Sequence, residues 1–140
     1  MMNLIDRAFL LKKNPIFNSL DMDILLAISD KTEIMIFKPG VKIFSTEEPS
    51  FSLYIIVEGY VKITDNNSSL SVTISSQECF GEESLFSNKP REYNAEAITQ
   101  VRALTLSKGQ FLSIVEECPS VALSLLELYA KQITFRHPIS

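Results

Sequence analysis

From residue 20 to residue 31 the apolar side chains Leu20, Ile24, Leu25 and Ile28 recur at the spacing of one helical face. Ser19 offers an N-cap, and Asp21 and Asp23 fall in the first turn, where the helix dipole favours negative charge. An amphipathic helix that packs on something larger is predicted. From residue 32 to residue 106 the period changes. Residues 33–37, 41–44, 53–57, 60–64, 70–75, 94–97 and 101–106 read as short strands, bounded by turn residues. Lys38-Pro39-Gly40 puts proline and glycine where a type II turn needs them, while Glu58-Gly59 and Asp65-Asn66-Asn67 mark further reversals. Short strands at regular spacing argue for a sandwich or barrel and against βαβ units.

Helical signals return at the end. Gln110 stands three residues after Ser107, as in a capping box, ahead of a helical run over 111–115. Pro119 suits the first position of a helix over 121–133. Val121, Leu125 and Leu128 form one stripe of it, and Ala122, Leu126, Tyr129 and Ile133 another. So wide an apolar face covers the barrel, pairs with a second copy, or does both. The expected fold is mainly β with flanking helices, in one domain over 1–140: a helical part (1–31), a β-roll (32–106) and C-terminal helices (107–135).

A chain of 140 residues buries a sizeable core without disulfides or metal. Its 46% hydrophobic and 21% charged residues describe an ordinary globule. Net charge changes the picture more: at −4, with Lys12-Lys13 the longest basic run, the chain lacks the clustered cations that phosphate backbones require. No nucleic-acid partner is expected. Cys79 and Cys118 form no CxxC pair, which fits a reducing cytoplasm. The run Ala8-Phe9-Leu10-Leu11 is too short for a signal-peptide core, and no segment approaches the roughly 18 apolar residues of a membrane span. A cytoplasmic protein without membrane insertion is expected.

Enzyme chemistry finds little material. His137 is the one histidine, too few for a metal centre of the barrel-enzyme kind and too near the chain end to activate Cys79. The residues that do suggest chemistry are Phe80-Gly81-Glu82-Glu83-Ser84-Leu85-Phe86, followed by Pro90-Arg91. They combine a glycine turn, a short helical turn and two opposite charges. Backbone N–H groups at a helix start attract phosphate, a guanidinium grips its oxygens, and a carboxylate accepts hydroxyl protons. That set suits a small anion carrying sugar hydroxyls. Glu82 and Arg91 also read as a structural ion pair that fixes the loop.

The segment resembles the phosphate-binding cassette of cyclic-nucleotide-binding domains, whose core reads F-G-E-x-[AS]-L followed by P-R. The spacing from Glu82 to Arg91 is the family's nine residues. Three further blocks occur in the family's order: Ile16-Phe17-Asn18-Ser19-Leu20, Phe37-Lys38-Pro39-Gly40-Val41-Lys42-Ile43-Phe44, and Leu53 through Gly59 to Ile63. The resemblance covers roughly residues 15–133. It implies a double-stranded β-helix, or jelly-roll-like β-roll, holding cAMP or cGMP as a ligand, with no cofactor. It further implies that Glu82 accepts the ribose 2′-hydroxyl, that Arg91 pairs with the cyclic phosphate, and that the backbone N–H groups of Ser84 and Glu92 complete the cradle. Gly81, Glu82, Glu83, Ser84, Arg91, Glu92 and Tyr93 are the candidate ligand-binding residues.

Departures from the family's pattern fall close to this site. Glu92 and Tyr93 stand where small residues usually follow the arginine, and the Glu92 carboxylate either faces the phosphate or points outward. Gln77 replaces a glycine three residues before Phe80, and another usual glycine is missing within Thr46-Glu47-Glu48-Pro49. Glycine loss matters where φ is positive. The leading expectation is a regulatory module that binds cyclic nucleotide and signals to an unidentified effector protein. The alternative is a roll that has lost its ligand and serves as an interaction scaffold. The family's terminal helix pairs between subunits, so a homodimer through 121–133 is a further expectation. Nothing resembling a helix-turn-helix, kinase or channel segment follows Ile133, and the starting methionine favours a stand-alone module over an excised domain.

Overall fold

The computed structural model describes residues 2–66, 70–85 and 87–131. Asn67, Phe86, Ile133 and His137 of the sequence reading lie outside that set, as does the side chain of Tyr129. Helix α1, Leu4–Lys12, lies within the helical part expected over 1–31, ahead of the one helix that the apolar period marks there. Its signal is a capping box: the Asn3 side chain accepts the Asp6 N–H at 2.8 Å, and Asp6 reaches back to the Asn3 N–H. The apolar run weighed only as a leader core instead buries Ala8, Leu10 and Leu11. Helix α2, Met22–Lys31, begins later than the periodicity suggests, with Asp21 rather than Ser19 at its N-cap. The Arg7 guanidinium donates to the Thr32 carbonyl at 2.9 Å and ties the two helices together.

The expected strands all form, within a residue or two of their predicted ends. They are β1 (Glu33–Phe37), β2 (Lys42–Phe44), β3 (Ser52–Glu58), β4 (Val61–Thr64), β5 (Ser71–Ile74), β7 (Asn94–Ala97) and β8 (Val101–Ser107). An additional strand, β6 (Cys79–Phe80), pairs with Tyr54 and Ile55 of β3 and carries the chain into the glycine turn. Two residues are too few to show a period, so it was not legible in the sequence. Gly40 adopts φ +85° in the Lys38–Val41 turn, as a type II turn demands.

The strands form two antiparallel four-stranded sheets, in the orders β1-β8-β3-β6 and β2-β7-β4-β5. Alternation along β3 and β8 sorts their side chains between two cores. Leu53, Ile55, Leu104 and Leu106 face the helices, while Tyr54, Ile56, Val101 and Ala103 fill the space between the sheets with Phe44, Phe80, Ala95 and Ala97. Helix α3, Lys108–Glu117, starts at Ser107, whose hydroxyl accepts the Gln110 N–H at 3.1 Å. The Gln110 side chain meets the Ser107 hydroxyl rather than its backbone N–H, so only half of the predicted capping box forms. In α4, Ser120–Ala130, Val121 and Leu125 are buried and Leu128 packs beside them, whereas Leu126 is exposed. The first apolar stripe is core, and of the second Leu126 faces outward. The fold is therefore the α+β β-roll with helices at both ends.

Candidate functional site

The site is built where β6 ends. Gly81 has φ +77°, and a Cβ there would stand 2.8 Å from Arg91 Nη1 and 2.9 Å from the Ser52 carbonyl oxygen. Glycine is thus required twice, by backbone conformation and by the guanidinium packed against it. Glu82–Leu85 then form a single 3-10 turn. The Ser84 N–H and hydroxyl both donate to the Gly81 carbonyl, at 3.1 and 2.8 Å. The Ser84 N–H that the resemblance assigns to a phosphate cradle is thereby engaged within the turn itself.

Arg91 is 3% exposed and reaches beneath this turn. Its Nη1 donates to Glu83 Oε1 at 3.0 Å and to the Gly81 carbonyl at 3.2 Å, and its Nη2 donates to the Ser52 carbonyl at 2.7 Å. Its Cζ lies 4.0 Å from the centre of the Phe44 ring. Its buried Nε–H has no acceptor among the described residues. The ion-pair partner of Arg91 is therefore Glu83, not Glu82 as the sequence alternative had it. Ser52 and Phe44 escape sequence reasoning because one acts through its carbonyl and the other sits in an ordinary apolar strand.

Tyr93 completes the ring of contacts. Its hydroxyl accepts the Gly81 N–H at 2.6 Å and donates to Glu83 Oε2 at 3.3 Å. Burial raises its phenol pKa, helped by the Glu83 charge, so it is a neutral donor. Its ring meets Phe44 edge-on at 5.3 Å, while Tyr54 stacks on Phe80 at 5.0 Å. Glu92, between Arg91 and Tyr93, is exposed.

Glu82 is half-buried and accepts the Cys79 thiol proton at 3.4 Å. Burial raises its carboxyl pKa above the ordinary glutamate value. Burial and the Glu82 charge push the Cys79 thiol up to about 12, which leaves it a hydrogen-bond donor and not a nucleophile at neutral pH. The structure thus brings Gly81, Glu82, Glu83, Ser84, Arg91 and Tyr93 into one cluster and leaves the Glu92 side chain at its edge.

Both missing glycines leave a backbone trace. Gln77 adopts φ +77° and Glu47 φ +72°. The loops kept the left-handed turn without the residue that takes it most easily. The Glu47 N–H donates to the Arg91 carbonyl and the Arg91 N–H to the Glu48 carbonyl, both at 2.8 Å. The 46–49 loop therefore holds the backbone on which the guanidinium is mounted.

Comparison with known proteins agrees with this architecture. The cyclic nucleotide-binding domain family matches residues 34–118, more than half of the chain. A CRP-like cAMP-activated global transcriptional regulator of Mycobacterium tuberculosis is 29% identical over 128 residues, covering 89% of this chain and 57% of that protein. A cAMP-dependent protein kinase regulatory subunit of Schizosaccharomyces pombe is 23% identical over 138 residues, covering 94% of this chain and 34% of the other. Among solved structures, the N-terminal domain of a transcriptional regulator from Streptomyces coelicolor A3(2) superposes with a TM-score of 0.80 at 28% identity, covering 88% of this chain and 89% of that one. The chain thus spans between about a third and three fifths of the length of the two named relatives. No helix among the described residues is long and apolar enough to cross a membrane.

Proposed function

This chain belongs to the cyclic nucleotide-binding domain family, and from that premise we propose that it binds cAMP or cGMP at the Gly81–Tyr93 cluster and passes the change to a partner protein. One observation carries the reading: a guanidinium 3% exposed at the foot of the cassette, with a buried Nε–H that lacks an acceptor among the described residues. Arg91 is to pair with the cyclic phosphate, and Glu82, half-buried and one turn away, is to accept a ribose hydroxyl. The Glu92 N–H lies on the same segment as Arg91 and is to complete the cradle.

The proposed output route runs through contacts beside the site. The Lys108 N–H donates to the Phe51 carbonyl at 2.7 Å, and its ammonium contacts the Ser87 carbonyl and the Asn88 side chain. Lys108 opens α3, so a shift of the 87–91 segment pulls on that helix and on α4 behind it. Leu123 and Leu126 of α4 are 58% and 67% exposed and offer the face on which an effector or a second copy is to dock. The relatives are named as regulators, and a regulatory rather than an enzymatic role is proposed here.

The test is calorimetric titration of cAMP and cGMP into protein that has been denatured, stripped of carried-over ligand and refolded. Saturable binding is expected, weakened by about one to two decades in Arg91→Lys through loss of charge-assisted, bidentate bonds. Absence of heat at millimolar ligand, with the protein folded, overturns the reading.

A further inference from the structure

Two cassette residues that the family's pattern does not specify are in contact with each other. Glu83 occupies the position that the F-G-E-x-[AS]-L pattern leaves open, and Tyr93 a position usually given to a small residue. One Glu83 oxygen takes the Arg91 Nη1 proton at 3.0 Å, and the other takes the Tyr93 hydroxyl proton at 3.3 Å. The same hydroxyl is anchored at 2.6 Å on the Gly81 N–H, within the turn. A carboxylate is the nearest side-chain equivalent of a phosphate edge: two anionic oxygens able to accept from a guanidinium.

We propose that Glu83 is a built-in counter-anion for Arg91, held by Tyr93, and that an incoming cyclic phosphate competes with it and displaces it from Nη1. This rests on the nucleotide-binding reading above. Arg91 has no uncommitted Nη1 proton in the latched arrangement, because Glu83 and the Gly81 carbonyl take both. Binding at Nη1 therefore exchanges one charge-assisted bond for another, and the affinity of the site rests on that difference together with the Nε–H left without an acceptor among the described residues. Glu83 retains 33% side-chain exposure, so its carboxylate has a route into solvent once displaced, whereas Arg91 at 3% has none. The geometry assigns movement to the glutamate and a fixed position to the arginine. Glu83 and Tyr93 are positioning residues that determine how strongly an anionic ligand must compete.

The experiment titrates cAMP and cGMP into stripped wild-type, Glu83→Gln, Tyr93→Phe and Glu78→Gln proteins. Glu83→Gln keeps the shape and removes the competing charge, and is expected to bind about ten-fold tighter or better. Tyr93→Phe frees one Glu83 oxygen, is expected to shift affinity the same way by less, and serves where Glu83→Gln does not fold. Glu78→Gln removes an exposed charge from the residue before β6 and is expected to stay within about three-fold of wild type, because solvent and salt screen it. A purely structural Glu83 would make its variant bind more weakly. Unchanged or weaker binding by Glu83→Gln, or an equal gain in Glu78→Gln, overturns the latch while the nucleotide reading stands. Absence of binding in every folded variant overturns both.

Discussion

The Arg91 guanidinium lies over the Phe44 ring, its Cζ 4.0 Å from the ring centre. Phe44 belongs to the β2-containing sheet, whereas the Ser52 carbonyl that accepts from Nη2 belongs to β3 in the other. One side chain therefore joins both sheets and the cassette turn. Cation–π contact with a desolvated guanidinium contributes about 1–2 kcal/mol, and its bonds to carbonyls and carboxylate add to that. The proposed ligand contact is also a structural keystone of the roll.

Arg91→Ala is accordingly expected to destabilise the protein in the absence of any ligand. Breaking a fully buried ion pair costs about 3–5 kcal/mol. Glu83 is one-third exposed and rehydrates when abandoned, so about 2 kcal/mol is expected here. Urea unfolding checks it: the midpoint should fall by about 1 M. An unchanged midpoint would show that these contacts do not support the fold.

Gln77 and Glu47 hold left-handed backbone at φ +77° and +72°, a conformation that costs a residue with a Cβ roughly 1–2 kcal/mol. Gln77→Gly relieves that strain, partly offset by the greater freedom of glycine in the unfolded chain. A gain of about 1 kcal/mol, or about 3 °C in Tm, is expected by calorimetry. Glu47→Gly should behave alike, and a fall in Tm for both would place the strain elsewhere.

These two positions also show how far the sequence was legible. The absence of glycine at 77 and within 46–49 was visible, but not whether the turns had been rebuilt; only the dihedral angles answer that. Periodicity located β1, β3 and β8 because alternation and β-branched residues extend over five to seven positions in each. It missed α1, whose cap at Asn3 and Asp6 was overlooked, and β6, which is too short to have a period. At the site, residue identities and spacing picked out the members of the cluster. They did not choose between Glu82 and Glu83 as the partner of Arg91, because a 3-10 turn rotates adjacent carboxylates to different sides.

Cys79 should be a slow thiol. With its pKa pushed up to about 12, roughly one molecule in ten thousand carries the thiolate at pH 8. In a Cys118→Ser background, labelling by an aromatic disulfide is expected to run about thirty-fold slower than in the unfolded chain, before shielding by the fold is counted. The rate should still be climbing past pH 10. A plateau near pH 9 would mean that the thiol is neither desolvated nor opposed by Glu82.

Glu82 places stability and binding in opposition. Burial raises its folded carboxyl pKa above the ordinary value of 4.5, so the folded protein holds this proton more tightly than the unfolded chain does. Its contribution to stability is therefore present in full below pH 4.5 and is lost as pH rises through the raised folded value. Glu82→Gln removes the ionisation and retains an oxygen for the Cys79 thiol. The variant should match wild type near pH 4 and exceed it in urea midpoint at pH 7, while binding cyclic nucleotide about ten-fold more weakly through loss of a charged acceptor for the ribose hydroxyl. Denaturation at the two pH values separates the alternatives: an equal difference at both would assign the effect to packing instead of to the buried charge. A carboxylate that costs stability in the free protein and is recovered on ligation is what a binding site, as opposed to a structural ion pair, requires.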